Sequence, residues 1–197
     1  MTGPGSRAGS GSGPRPASVS SSAGGAGGAG GSRSPEDGAS ATDASGAGTS
    51  GPGSGAGAFE FVEGATADLA FVARGATPEA VFAAAAEALL AATVEDPEQV
   101  ADTVRRTVSF EEPELDLLLL RWLDELIWRR DAEQLLARAG PLTLRRVEGG
   151  WRLDGELRGE PIGEGHRLRA DVKAATAHGL WMGQTETGWE ARVTLDV

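Results

Sequence analysis

Residues 113–136, PELDLLLLRWLDELIWRRDAEQLL, contain the pattern that decides the fold. Their large apolar side chains recur at helical spacing, while most of the charged side chains lie off that stripe. The stripe consists of Leu115, Leu118, Leu119, Trp122, Leu123, Leu126 and Ile127. So broad an apolar face has to be covered, and we predict a helix that ends near Arg130 and packs against a sheet. Trp122 is predicted to be buried, whereas Trp128 lies one position off the stripe and is expected to be exposed.

A second helix is predicted over residues 77–97, TPEAVFAAAAEALLAATVEDP. Thr77 suits the N-cap position, and Pro78 suits the first helical position because its missing N–H would have no partner there. Alternating segments before, between and after the helices predict strands, in the order β-β-α-β-α-β-β-β-β. This order is typical of an α+β fold, a mostly antiparallel sheet with two amphipathic helices packed on it.

The last two predicted strands, roughly 171–182 and 189–197, form a hairpin with QTETG as its turn. In this hairpin Trp181 and Trp189 are expected to face each other as an aromatic cross-strand pair.

Residues 1–57 differ in composition from the rest of the chain. They hold 18 Gly, 13 Ser, 10 Ala and 5 Pro, which together make 46 of the 57 residues. Because such a segment cannot bury enough apolar surface to offset the entropy of ordering, we predict a disordered arm. A transit peptide and a start site placed too far upstream are the alternatives. Residues 58–197 are then one domain by size.

The charge of the chain restricts its partners. The three basic residues of the arm balance its three acidic ones, so the net charge of −11 lies in the domain. Such a surface disfavours tight nucleic-acid binding and favours cations or a basic protein partner. The chain has no cysteine, which fits a cytoplasmic location, and no apolar run near the about 20 residues that a membrane helix needs.

Common catalytic motifs are missing from the sequence. It has no GxSxG, P-loop, dinucleotide-binding or HExxH pattern, and Ser109 is the single serine of residues 58–197. His166 and His178 have no common metal-ligand spacing. These absences argue against nucleophilic catalysis, and with the family resemblance described below we expect a protein that is not an enzyme.

Carboxylates are placed unusually at the end of the chain. RVTLDV is predicted to be strand up to the terminus, so Asp196 and the α-carboxylate of Val197 lie side by side. Asp68 ends the first turn, EGATAD, where it is explained either as a turn residue or as a ligand. If the last strand lies beside the first ones, these three anions converge, and an all-oxygen set suits Ca²⁺, with Mg²⁺ as the alternative.

Several stretches resemble the archease family. They are FEFVEGATADLAFVARG, LLLLRWLDELIWRRDAEQLL, GEPI…H, VKAATAHGL and GWEARVTLDV, which together extend over nearly all of residues 59–197. The first departs from the family pattern Glu-His-Thr-Ala-Asp, because residues 63–68 here read EGATAD, without the histidine and with one residue more.

The resemblance implies a compact α+β domain that assists the RNA ligase RtcB and is not itself the ligase. In the family, archease promotes loading of guanylate from GTP onto the ligase and allows repeated turnover in tRNA splicing or RNA repair. The metal site implied by the resemblance maps onto Asp68, Asp196 and Val197. Lys173, the single lysine of the chain, and His178 match the VKA…H motif and are expected to contact the partner.

Two other classes remain open from the residues alone. A small hydrolase or transferase would use the acidic cluster to hold a catalytic metal. A chaperone-like binding module would need an exposed apolar patch, and the sequence places its apolar stripes on the core faces of the helices.

Overall fold

The computed structural model describes residues 57–62 and 68–197. The predicted arm and most of the EGATAD turn lie outside these residues. The predicted element order is confirmed, with one short 3₁₀ helix added at Pro97–Gln99. The two helices are α1 (Pro78–Thr93) and α2 (Leu115–Glu133). The strands are β1 (Ala58–Val62), β2 (Leu69–Gly75), β3 (Val104–Glu112), β4 (Leu135–Val147), β5 (Gly150–Pro161), β6 (Ala174–Thr185) and β7 (Gly188–Asp196).

The seven strands form two antiparallel sheets. The first has the order β1-β2-β7-β6 and the second the order β3-β5-β4. The carboxy-terminal strand β7 therefore lies inside the first sheet, between β2 and β6. This arrangement places the start of β2 beside the end of β7.

Both helices pack against both sheets, which explains their composition. Helix α1 is rich in alanine and buried around most of its circumference, as expected of a helix that has protein on several sides. Thr77 caps it, because the Ala80 N–H donates to the Thr77 Oγ1 at 3.3 Å. Helix α2 buries the predicted stripe. Trp122 is fully buried, and its indole N–H donates to the carbonyl oxygen of Phe82 at 3.1 Å, which joins the two helices.

The prediction that Trp181 and Trp189 face each other across the last hairpin is wrong. The turn between β6 and β7 has two residues, so Thr185 pairs with Gly188 and Trp189 stands opposite Gln184. Trp181 stands opposite Arg192, on the other face of the sheet. A turn of two residues sets the register of a hairpin, and a small change of register moves side chains to the opposite face.

Candidate functional site

The paired ends of β2 and β7 bring two aspartates together. Leu69 pairs with Leu195, so Asp68 and Asp196 occupy the next position across the same two strands. Directly opposed residues of an antiparallel pair project from the same face of a sheet. Both aspartates are exposed. The sheet pairing thus supports the predicted proximity of the two carboxylates.

The C-terminus is held in place at this sheet end. The side chain of Val197 is half-buried and packs against the hydrophobic core. The preceding residue is tied to the neighbouring strand, because the Lys173 N–H donates to the carbonyl oxygen of Asp196 at 2.8 Å. These contacts fix the main chain of the last two residues at the end of the sheet.

The electrostatics of this face differ from one end of the sheet to the other. Further along the same face, Arg74 lies between Glu60 and Glu190, with N···O distances of 2.8 Å and 2.7 Å. Negative charge is compensated there. At the strand ends, Asp68 and Asp196 face each other, and like charges directly opposite each other are destabilising. A bound cation would relieve this repulsion.

The three proposed ligands, Asp68, Asp196 and Val197, offer only carboxylate oxygens, and these are the ligands that hard cations such as Ca²⁺ prefer. Within residues 57–62 and 68–197, no three side chains of the types His, Cys, Asp and Glu cluster closely enough to hold a metal. The proposed site therefore depends on two side chains and the main-chain terminus. We call Asp68, Asp196 and Val197 the acidic tip.

Of the predicted partner residues, Lys173 lies just before β6, the strand beside β7, and His178 lies within β6. Lys173 directly precedes β6 and is exposed, while its neighbour Val172 is fully buried, as the alternation of a strand requires. His178 is exposed in an irregular stretch of β6, because the register of β6 against β7 shifts between Thr176 and Trp181. The structure thus places Lys173 beside the tip and His178 further along, within β6.

The hydrogen bonds that fix the loop before β6 were not predicted from the sequence. The His166 Nδ1 accepts from the Gly163 N–H at 3.0 Å, and its Nε2 lies 3.2 Å from the Glu160 Oε1. The same Glu160 oxygen accepts from the Ala101 N–H at 2.8 Å. This N–H, and then His166, lowers the pKa of Glu160 against the opposing effect of desolvation. The spacing of GEPI…H was the available signal, and the structure gives these residues a role in loop geometry.

The partial burial of Asp124 on α2 was also not predicted from the sequence. It is half-buried, and burial raises the pKa of its carboxyl, opposed by the N–H of Ala175 and by the charge of Arg121. It lies off the apolar stripe, and this position gave no indication of its burial. The packing of α2 against β6 covers it, and the sequence carries no signal for that contact.

Among the described residues, neither helix has the length and apolar character needed to cross a membrane. The described part of the chain is an α+β domain in which the paired ends of β2 and β7 place Asp68 and Asp196 on one face of a sheet.

Comparisons with known proteins identify the family. The model of the Archease protein family (MTH1598/TM1083) matches residues 59–197. The protein archease of Methanosarcina mazei is 32% identical over 141 residues, which covers 71% of this chain and 95% of the relative. That of Methanothermobacter thermautotrophicus is 35% identical over 139 residues, covering 71% and 98%. The solution structure of Methanobacterium thermoautotrophicum protein 1598 superposes with a TM-score of 0.63 at 34% identity, covering 71% of this chain and 98% of that one. This chain belongs to the archease family.

Proposed function

We propose that this protein is a non-catalytic activator of an RtcB-type RNA ligase. It promotes the GTP-dependent guanylylation of the ligase and its multiple turnover in tRNA splicing or RNA repair. The observation that carries the proposal is family membership over residues 59–197. A net charge of −11 supports a protein partner and opposes tight RNA binding. On this proposal the protein acts in the cytoplasm, and Lys173 and His178 contact the ligase.

The acidic tip is proposed to hold a divalent cation, Ca²⁺ in preference to Mg²⁺. Asp68 and Asp196 supply side-chain oxygens from adjacent strand ends, and Val197 supplies its α-carboxylate. Ca²⁺ accepts a flexible, irregular set of oxygens more readily than Mg²⁺, which requires near-octahedral geometry. A cation held by these residues would supply positive charge to a surface that is otherwise acidic. Lys173 stands beside this tip through its main-chain bond to Asp196.

The functional proposal is tested with the ligase from the same organism. Single-turnover guanylylation of the ligase is measured with GTP, with and without this protein, and RNA joining is then followed over several turnovers. Faster guanylylation and repeated turnover are expected only when both proteins are present. Equal rates with and without this protein would refute the activator role. Substrate conversion by this protein alone would point instead to the hydrolase or transferase alternative.

The metal proposal is tested by calorimetric titration of Ca²⁺ and Mg²⁺. Asp68→Asn, Asp196→Asn and amidation of Val197 each remove one of three anions. Each is expected to weaken Ca²⁺ binding at least about tenfold, because affinity rises with the number of charged ligands. The three losses should be non-additive because they share one site. Asp102→Asn is the matched control, an exposed aspartate in the loop before β3. Unchanged affinity after amidation would remove Val197 from the site.

A further inference from the structure

The exposed face of α2 forms a groove that is separate from the acidic tip. It has a volume of about 600 Å³ and is lined by Arg121, Asp124, Glu125, Trp128 and Arg129. Trp128 is 52% exposed, although it lies on the helix that supplies most of the core. Tryptophan is enriched at the energetic centres of interfaces. We call this surface the α2 groove.

The tryptophan is held in place before any partner arrives. The Arg129 guanidinium lies 4.9 Å from the centre of the Trp128 ring. Arg129 is itself paired with Glu125 at 2.7 Å and with Glu133, one helical turn away on either side. These side chains are mostly buried, with 17% of Arg129 and 13% of Glu125 exposed. Because these contacts already fix Trp128, its side chain loses little conformational entropy when a partner binds.

The groove also contains a carboxylate that lacks a salt-bridge partner among the described residues. Asp124 is half-buried, and it is absent from the ion pairs that Arg129 makes with Glu125 and Glu133 on the same helix. Burial raises the pKa of its carboxyl, and the Ala175 N–H and Arg121 only partly oppose this. Arg121 lies 5.2 Å from the centre of the Phe110 ring. A half-buried carboxylate is stabilised by a cation that approaches from the open side.

We propose that the α2 groove is a docking socket for a lysine or arginine side chain of the ligase. Asp124 and Trp128 are four residues apart on one helix face, a separation of about 6 Å. The aliphatic stem of a lysine or arginine lies across Trp128, and its charged end reaches Asp124. The net charge of −11 favours a basic partner for the domain as a whole. Within the groove Arg129 is already paired with Glu125, which leaves Asp124 without an ion pair among the described residues. This inference rests on the proposed function for the identity of the partner.

The groove is connected to the acidic tip through β6. Asp124 faces the N–H of Ala175, and two residues earlier the Lys173 N–H donates to the carbonyl oxygen of Asp196. A partner bound at the tip therefore lies near the groove as well. The groove provides affinity, whereas the tip provides activation.

The two roles are separated by measuring guanylylation as a function of the concentration of this protein. Trp128→Ala is expected to raise the half-activating concentration about tenfold or more and to leave the rate at saturation unchanged. Asp124→Asn is expected to raise it about fivefold and to reduce its dependence on salt, since a charge pair is lost. Leu168→Ala, which shortens a side chain that is 54% exposed on the loop before β6, is the control and is expected to change neither quantity.

The outcomes distinguish the inference from the proposed function. If the native protein activates the ligase and Trp128→Ala does so at the same half-activating concentration, the socket is refuted while the activator role stands. If the native protein does not activate the ligase, both fail. Sedimentation analysis of this protein alone supplies a third result. A native dimer that Trp128→Ala converts to a monomer would show that a second copy occupies the groove, which would overturn the proposal.

Discussion

Trp122 joins the two helices, and its replacement by phenylalanine is expected to be costly. The side chain is fully buried, and its indole N–H donates to the Phe82 carbonyl oxygen at 3.1 Å. Trp122→Phe keeps an aromatic ring in the core but removes this hydrogen bond and part of the ring. The variant therefore tests whether the contact between α1 and α2 stabilises the domain.

The loss of stability has two parts. A hydrogen bond contributes about 1 kcal/mol net, and the Phe82 carbonyl keeps its place in the bonding pattern of α1, so no larger penalty is expected. The missing ring atoms cost about 2 kcal/mol, at about 0.8 kcal/mol for each buried carbon that is lost. The free energy of unfolding should fall by about 3 kcal/mol, which corresponds to a Tm about 10 °C lower for a domain of this size.

Urea unfolding followed by circular dichroism measures this difference, and Trp128→Phe is the matched control. Trp128 is the same residue type on the same helix but is 52% exposed, so its replacement should change stability by less than about 0.5 kcal/mol. Similar losses in the two variants, or no loss in Trp122→Phe, would refute the assigned role of the buried indole.

Three further predictions concern other parts of the chain. Lys173→Ala should leave the Tm nearly unchanged, because the side chain is exposed, and should strongly reduce ligase activation; normal activation, or an unfolded variant, would contradict the partner role. A chain without residues 1–57 should melt and activate as the full chain does, and a large loss of either would show that the arm contributes. Hydrogen bonds from Ser109 and then Arg152 lower the pKa of Asp154 from 3.8 to about 2. Ionised Asp154 therefore stabilises the folded state above about pH 4, and this contribution disappears as the pH falls towards 2. Asp154→Asn should lower the Tm at pH 6 but not near pH 2, and an equal effect at both would contradict the ionic role.

The sequence by itself determined the local elements. The apolar stripe of α2, the Thr77 cap and Pro78 of α1 and the alternation of the strands predicted the element order that the structure shows. These features depend on interactions within a few residues, and their spacing is visible in the sequence. The absence of cysteine likewise excluded disulfides and thiolate metal sites without a structure.

Only the tertiary structure decided how the strands pair and what the pairing brings together. Placing β7 between β2 and β6 sets Asp196 beside Asp68, and the two-residue turn moves Trp181 away from Trp189. The half-burial of Asp124 against β6 has the same origin. Contacts between distant segments are chosen by the packing of the whole domain, since several pairings satisfy the same local pattern. Asp68 and Asp196 could therefore be named as candidate neighbours from the sequence, whereas the pairing of β2 with β7 that brings them together is decided by the tertiary structure.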